Sequence, residues 1–156
     1  MKETSIQTIL IVHLLVLLFF SECSAAYNVY TQNMAEFSDA DSRRIEKLLN
    51  RIVSREPDIV FLQEAEVQTL RLIKTKASLA SYRAIYQPEG EETAGGLIIL
   101  AKRTLSPSLA SYVDLPSEMY RGLLLATVKM CGQQVTLVDL HLESPDLLFW
   151  RSNALR

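Results

Sequence analysis

The stretch Asp58-Ile-Val-Phe-Leu-Gln63 constrains this chain most. It is a continuous apolar run, short, with β-branched residues at its start. Such a run reads as a strand buried on both faces rather than as a half-exposed strand or a helix. Pro57 stands just before it and closes whatever helix precedes, because a residue before proline is pushed out of the α region. Upstream, Ile45, Leu48, Leu49, Ile52 and Val53 recur at helical spacing, with Arg43, Arg44, Glu46, Lys47 and Arg51 on the other face. Ser38-Asp-Ala-Asp41 offers capping side chains for that helix. Before it, Tyr27, Val29 and Thr31 alternate in a strand that ends at Asn33.

After the buried strand, residues 66–79 read as a second helix with Leu70 and Ile73 inward. Ser81 to Tyr86 reads as a strand, and Pro88 to Gly96 as an acidic, turn-rich loop. Leu97 to Ala101 is a short apolar strand, and Leu105 to Val113 a weaker one around Pro107. Arg121 to Met130 and Gln134 to Leu140 flank Cys131-Gly-Gln133, a tight hairpin signal. Pro145 then breaks the chain, and Leu147 to Arg156 reads as the start of a helix. The order is strand, helix, strand, helix, then a run of strands. It predicts an α/β fold with one sheet in the middle and flanking helices. At 156 residues, 49% hydrophobic and 22% charged, the chain suits one globular domain.

The N-terminus differs in kind. Lys2 precedes an apolar run from Ile9 to Phe20, broken only by His13, and small residues follow as far as Ala26. This is the pattern of a secretory signal peptide over 1–26, with a signal anchor as the alternative. The run is short for a membrane span. The expectation is a secreted protein, or a nuclear or cytoplasmic one if the leader is a gene-model artefact. Removal after Ala25 or Ala26 would leave Cys131 as a lone thiol, which in a strand-like segment is commonly buried and inert.

Formal net charge is −2, so the basic footprint of a chain that binds nucleic acid by charge alone is absent. A metal ion can supply that positive charge instead. With two His and two Cys, a His/Cys zinc cluster is not available.

Three polar residues close apolar strands: Asn33, Glu64 and His141. Strand ends are where α/β sheets present ligand groups into a crevice. Carboxylate and amide oxygens are hard ligands for Mg²⁺, or for Mn²⁺ in its place. A nearby histidine can hydrogen-bond a phosphate or move a proton. Each residue also has an ordinary reading. Glu64 is then a solvated loop residue or a helix N-terminal charge, Asn33 a turn or cap, and His141 a structural histidine.

The blocks around them resemble a family. Thr31-Gln-Asn33, Pro57-Asp-Ile-Val-Phe-Leu-Gln-Glu64, Gly95-Gly-Leu-Ile-Ile-Leu-Ala-Lys-Arg103 and His141-Leu-Glu-Ser144 occur in the order of the signatures of the endonuclease/exonuclease/phosphatase superfamily. Met119-Tyr-Arg-Gly-Leu-Leu-Leu, Gly132 to Ser144 and Arg151-Ser-Asn-Ala-Leu155 look like its tyrosyl-DNA phosphodiesterase 2 branch. The resemblance implies the N-terminal part, from residue 27 to 156, of a DNase I-like α/β sandwich with the second half missing. It implies Mg²⁺-dependent phosphodiester hydrolysis, on nucleic acid with a 5′-phosphotyrosyl end or on another phosphodiester. Glu64 matches the metal-binding glutamate, and Asn33 the asparagine that organises metal and phosphate. His141 matches the histidine at the scissile phosphate. Ser144 and Arg121 match phosphate or substrate contacts, although a surface strand arginine serves as well for Arg121.

The pattern also departs from the family. Ala35 stands where the tyrosyl-DNA enzyme has an aspartate, and Ala154 where many members have a glutamine. The later Gly-Asp-x-Asn and Ser-Asp-His blocks do not occur in this sequence. The expectation is therefore little or no turnover from these 156 residues, and exposed apolar strand faces. The alternatives are a secreted nuclease or sphingomyelinase-like phosphodiesterase, and a non-catalytic secreted pseudoenzyme. Oligomeric state is not legible.

Overall fold

The computed structural model describes residues 25–35, 42–65, 67–89, 92–93, 96–116 and 121–141. Residues 1–24 of the expected leader, the expected capping run Ser38–Asp41, Ser144 and the helix expected from Leu147 lie outside them. Strand β1 (Val29–Asn33) leads to helix α1 (Ser42–Val53), strand β2 (Ile59–Gln63) and helix α2 (Val67–Thr75). Strands β3 (Tyr82–Ile85), β4 (Pro88–Glu89), β5 (Glu92–Thr93), β6 (Ile98–Lys102), β7 (Ser108–Asp114), β8 (Gly122–Met130) and β9 (Gln133–Leu140) follow. The second helix is shorter than its periodicity predicts. Lys76 is extended (φ −81°, ψ 110°), and Ala77–Leu79 continues as a single 3-10 turn that buries Leu79.

The α/β sandwich holds, but its strands divide between two sheets where the sequence suggested one. The first sheet runs β1-β2-β6-β3, with β1 parallel to β2 and the other pairs antiparallel. The second runs β7-β8-β9, antiparallel throughout. Strands β4 and β5 form a small ribbon inside the expected acidic loop. Strand periodicity reports which residues face a core, and says nothing about which sheet a strand joins.

The continuous apolar runs are explained by layering. Val60 and Leu62 of β2, with Ile98 and Leu100 of β6, pack under Ile45, Leu49 and Ile52 of α1 and Leu70 and Ile73 of α2. The alternate residues Ile59, Ile99 and Ala101 face the other way. They pack on Leu124, Ala126 and Val128 of β8 and Leu137 of β9. Strands β2 and β6 are therefore covered by helices on one face and by the second sheet on the other. Among the described residues, the second sheet is packed on one face only. Cross-strand pairing places Val113, Leu123, Leu125, Val138 and Leu140 together on its outside. Of these, Val113, Val138 and Leu140 are exposed, Val138 by 51%. The strand faces expected to lie open toward a missing partner sheet are instead buried between the two sheets, and the exposed apolar residues lie on the outer side of this sheet.

Candidate active site

Glu64 follows β2 directly, and its backbone takes the left-handed conformation (φ 52°). That conformation is sparsely populated for a residue with a side chain, and such residues concentrate at functional sites. Gly96 supports it. Its own φ is +64°, its carbonyl accepts the Ala65 N–H at 2.8 Å, and a Cβ added there would stand 3.2 Å from the Glu64 Cα. Gly96→Ala is expected to cost about 1–2 kcal/mol through the left-handed penalty alone. Urea unfolding would measure it, and an unchanged midpoint would remove Gly96 from the support of Glu64.

The Glu64 side chain turns toward the end of β9, where it is 11% exposed. His141, the residue after β9, brings Nε2 to 3.3 Å from Glu64 Oε1. Arg121, the residue before β8, donates from Nη1 to His141 Nδ1 at 2.7 Å, and its Nη2 lies 4.0 Å from Glu64 Oε1. A guanidinium has only donors, so Nδ1 must be the accepting nitrogen. The remaining proton is then on Nε2, aimed at Glu64, and the imidazole is neutral. Burial holds the His141 pKa below its usual value. The Arg121 charge acts the same way, and Glu64 opposes it. Arg121 is buried, not the surface strand residue that the sequence also allowed.

Asn33 ends β1, and the parallel register sets it beside Gln63, so it reaches the same rim as Glu64. Its side chain is engaged locally, with Oδ1 accepting the Ala35 N–H at 2.7 Å. Its second lone pair leaves acceptor capacity. The structure thus joins Glu64, His141 and Arg121 in direct contact and puts Asn33 on the rim with them. Ser144 lies outside the described residues.

Two residues went unnoticed in the sequence. Gln63 Nε2 donates to Asp139 Oδ1 at 2.6 Å, while Gln63 Oε1 accepts from the Thr31 hydroxyl at 3.4 Å. This polar link spans the two sheets just beneath the site. Asp139 is 2% exposed, its Oδ2 meets no hydrogen-bond partner among the described residues, and burial raises its pKa to about 7. The signal was available, since Val135, Leu137 and Asp139 share the inward phase of β9. A carboxylate in that phase is anomalous.

The endonuclease/exonuclease/phosphatase family matches residues 25–151, most of the chain. The chain belongs to that family. Among solved structures, this family member resembles humanized D. rerio TDP2 carrying 14 mutations, at 22% identity and a TM-score of 0.64. The match covers 83% of this chain and 53% of that one. Truncated Caenorhabditis elegans TDP2 matches at 24% identity and a TM-score of 0.59, over 76% of this chain and 47% of that one. The human Nocturnin catalytic domain matches at 16% and 0.53, over 76% and 49%. These likenesses are of fold, and the chain spans about half the length of each. No curated protein sequence matches it.

The donor set among the described residues fits a hard cation in part. No group of three or more His, Cys, Asp or Glu side chains occurs there. One carboxylate and one amide oxygen at a strand rim still suit Mg²⁺, which keeps several waters and shares substrate phosphate oxygens.

Proposed function

We propose that this chain carries the first half of a divalent-metal-dependent phosphodiesterase site that takes nucleic acid bearing a 5′-phosphotyrosyl end. The observation that supports this most is the contact of Glu64 with both His141 and Arg121, made by residues far apart in the chain. In this reading Glu64 would hold Mg²⁺, with Asn33 beside it on the rim. The bound ion would supply positive charge against a phosphate oxygen. Neutral His141 would donate from Nε2, and the Arg121 guanidinium, held against His141 and Glu64, would add positive charge beside the phosphate. Ser144, three residues past His141, adds a hydroxyl. One D. rerio TDP2 structure holds a single-stranded DNA product, which favours a nucleic acid over a lipid phosphodiester.

The water-orienting and closing acid–imidazole blocks are missing from these residues, so turnover by the chain alone is expected near background. Binding is therefore the direct test. A fluorescent 5′-phosphotyrosyl oligonucleotide should bind in Mg²⁺, and at least tenfold more weakly with chelator, with Glu64→Gln or with Arg121→Ala. The reading fails if Glu64→Gln binds as tightly as the parent. Robust Mg²⁺-dependent hydrolysis lost in that variant would overturn the expectation of a half-site. Equal binding of a sphingomyelin-type phosphodiester would favour the lipid alternative. Folded protein with no phosphodiester binding would favour a non-catalytic role.

A further inference from the structure

The core between the two sheets stops being apolar just before the site. On β2, Ile59, Phe61 and Gln63 share the phase that faces the second sheet, and on β9, Val135, Leu137 and Asp139 share the phase that faces the first. The first two residues of each set pack as hydrocarbon. The last of each set is polar, and these two meet, with Gln63 Nε2 donating to Asp139 Oδ1 at 2.6 Å. Glu64 is the next residue after Gln63, and His141 stands two residues beyond Asp139. Gln63 is also level with Asn33 across β1 and β2, and its Oε1 takes the Thr31 hydroxyl. The hydrogen bond between the sheets therefore lies at the root of the side chains that gather at the rim.

A polar pair is a poor choice here for stability alone. Asp139 is 2% exposed, and its second oxygen meets no hydrogen-bond partner among the described residues. Replacing both members of such a pair by hydrocarbon of similar size is commonly neutral or stabilising. What the pair supplies, and hydrocarbon does not, is direction. Apolar contact is non-directional, whereas a hydrogen bond fixes both distance and angle. The site needs that constraint. Glu64 and His141 follow strands of different sheets, so their 3.3 Å contact lasts only while the two strand ends stay aligned.

We propose that Asp139 is a positioning residue: through Gln63 it locks the end of β9 to the end of β2 and so holds His141 against Glu64. That this alignment serves phosphate binding rests on the phosphodiesterase function proposed above. The alignment itself does not.

The test uses the full chain, the conservative Asp139→Asn, and a double variant, Gln63→Leu with Asp139→Leu, which extends the apolar core. The first readout needs no ligand. The sequence has two histidines, so a His13→Gln background assigns His141 in NMR spectra of the ring nitrogens. At pH 8 the parent should show one neutral tautomer, with the proton on Nε2 and Nδ1 accepting from Arg121. The double variant should show both tautomers, with a urea midpoint no lower than the parent's. Asp139→Asn keeps the oxygen that accepts from Gln63 and should rescue the single tautomer. The second readout is binding of the fluorescent 5′-phosphotyrosyl oligonucleotide in Mg²⁺. The double variant should bind about tenfold more weakly, the usual cost of losing a support behind a ligand, and Asp139→Asn should restore binding. A single unchanged tautomer in the folded double variant would overturn the proposal. So would a double variant that unfolds, because the pair would then serve stability. The expected tautomers in a parent that binds no oligonucleotide would leave the positioning role standing and remove the phosphodiesterase reading.

Discussion

Asp139→Asn is expected to stabilise the protein at pH 8 and to change it little at pH 4. The folded pKa of Asp139 is about 7, against an ordinary 3.8, because burial penalises its charged form. Below pH 4 both folded and unfolded chains carry the proton, and the site is neutral. As pH rises toward 7, the unfolded chain releases its proton while the folded one keeps it, so stability falls. The loss is about 1.4 kcal/mol for each unit separating the two pKa values. Across this window that amounts to a penalty on the order of a few kcal/mol. Asparagine keeps the shape and the oxygen that accepts from Gln63, and it has no charge to bury. The gain of the variant over the parent, measured by urea unfolding, should therefore grow between pH 4 and pH 7 and then level off. His141 works in the opposite sense. Its lowered pKa gives stability that is complete above pH 6.5 and fades as pH falls, and it is common to both proteins. A gain independent of pH would mean that the Asp139 carboxyl is not held neutral by its burial.

Leu124→Ala should cost about 2–5 kcal/mol, the usual range for a cavity in a packed core. Leu124 is fully buried between the sheets, packed among the residues that join β8 to β2 and β6. Across the sheet, Leu140→Lys should change stability by less than about 0.5 kcal/mol, because that side chain is exposed on the outer apolar face. The lysine should also raise the concentration at which the protein stays monodisperse, by breaking up that face. Thermal unfolding and light scattering would check the pair. Equal stability losses at the two positions would mean that the outer face is covered in solution.

The sequence and the structure agree best where one local pattern suffices. The run 58–63 could only be a buried strand, and α1 shows its apolar stripe plainly. The Cys131-Gly132 turn between two strands was equally legible. Disagreement appears where a distant partner decides. Nothing local tells β7, β8 and β9 that they form their own sheet, since pairing depends on surfaces made elsewhere in the chain. Arg121 reads as ordinary from its neighbours, and it is buried only because His141 and Glu64 meet it from two other strand ends. Asp139 stood in the inward phase of β9, yet a single carboxylate in an apolar run does not announce a partner 76 residues away. Glu64 and Asn33 stood out because strand ends and family wording coincided at them.

Strand β6 sits between β2 and β3, both of which precede it in the chain. During synthesis, each of those earlier strands must wait with an open hydrogen-bonding edge until Lys102 has left the ribosome. The nascent chain therefore passes through a stage in which Ile59 to Leu62 is made but unsealed, and a chaperone that shields short aliphatic runs would have most to grip at that stage. The β8–β9 hairpin, by contrast, pairs Met130 with Gln133 across its turn and can zip as soon as it emerges.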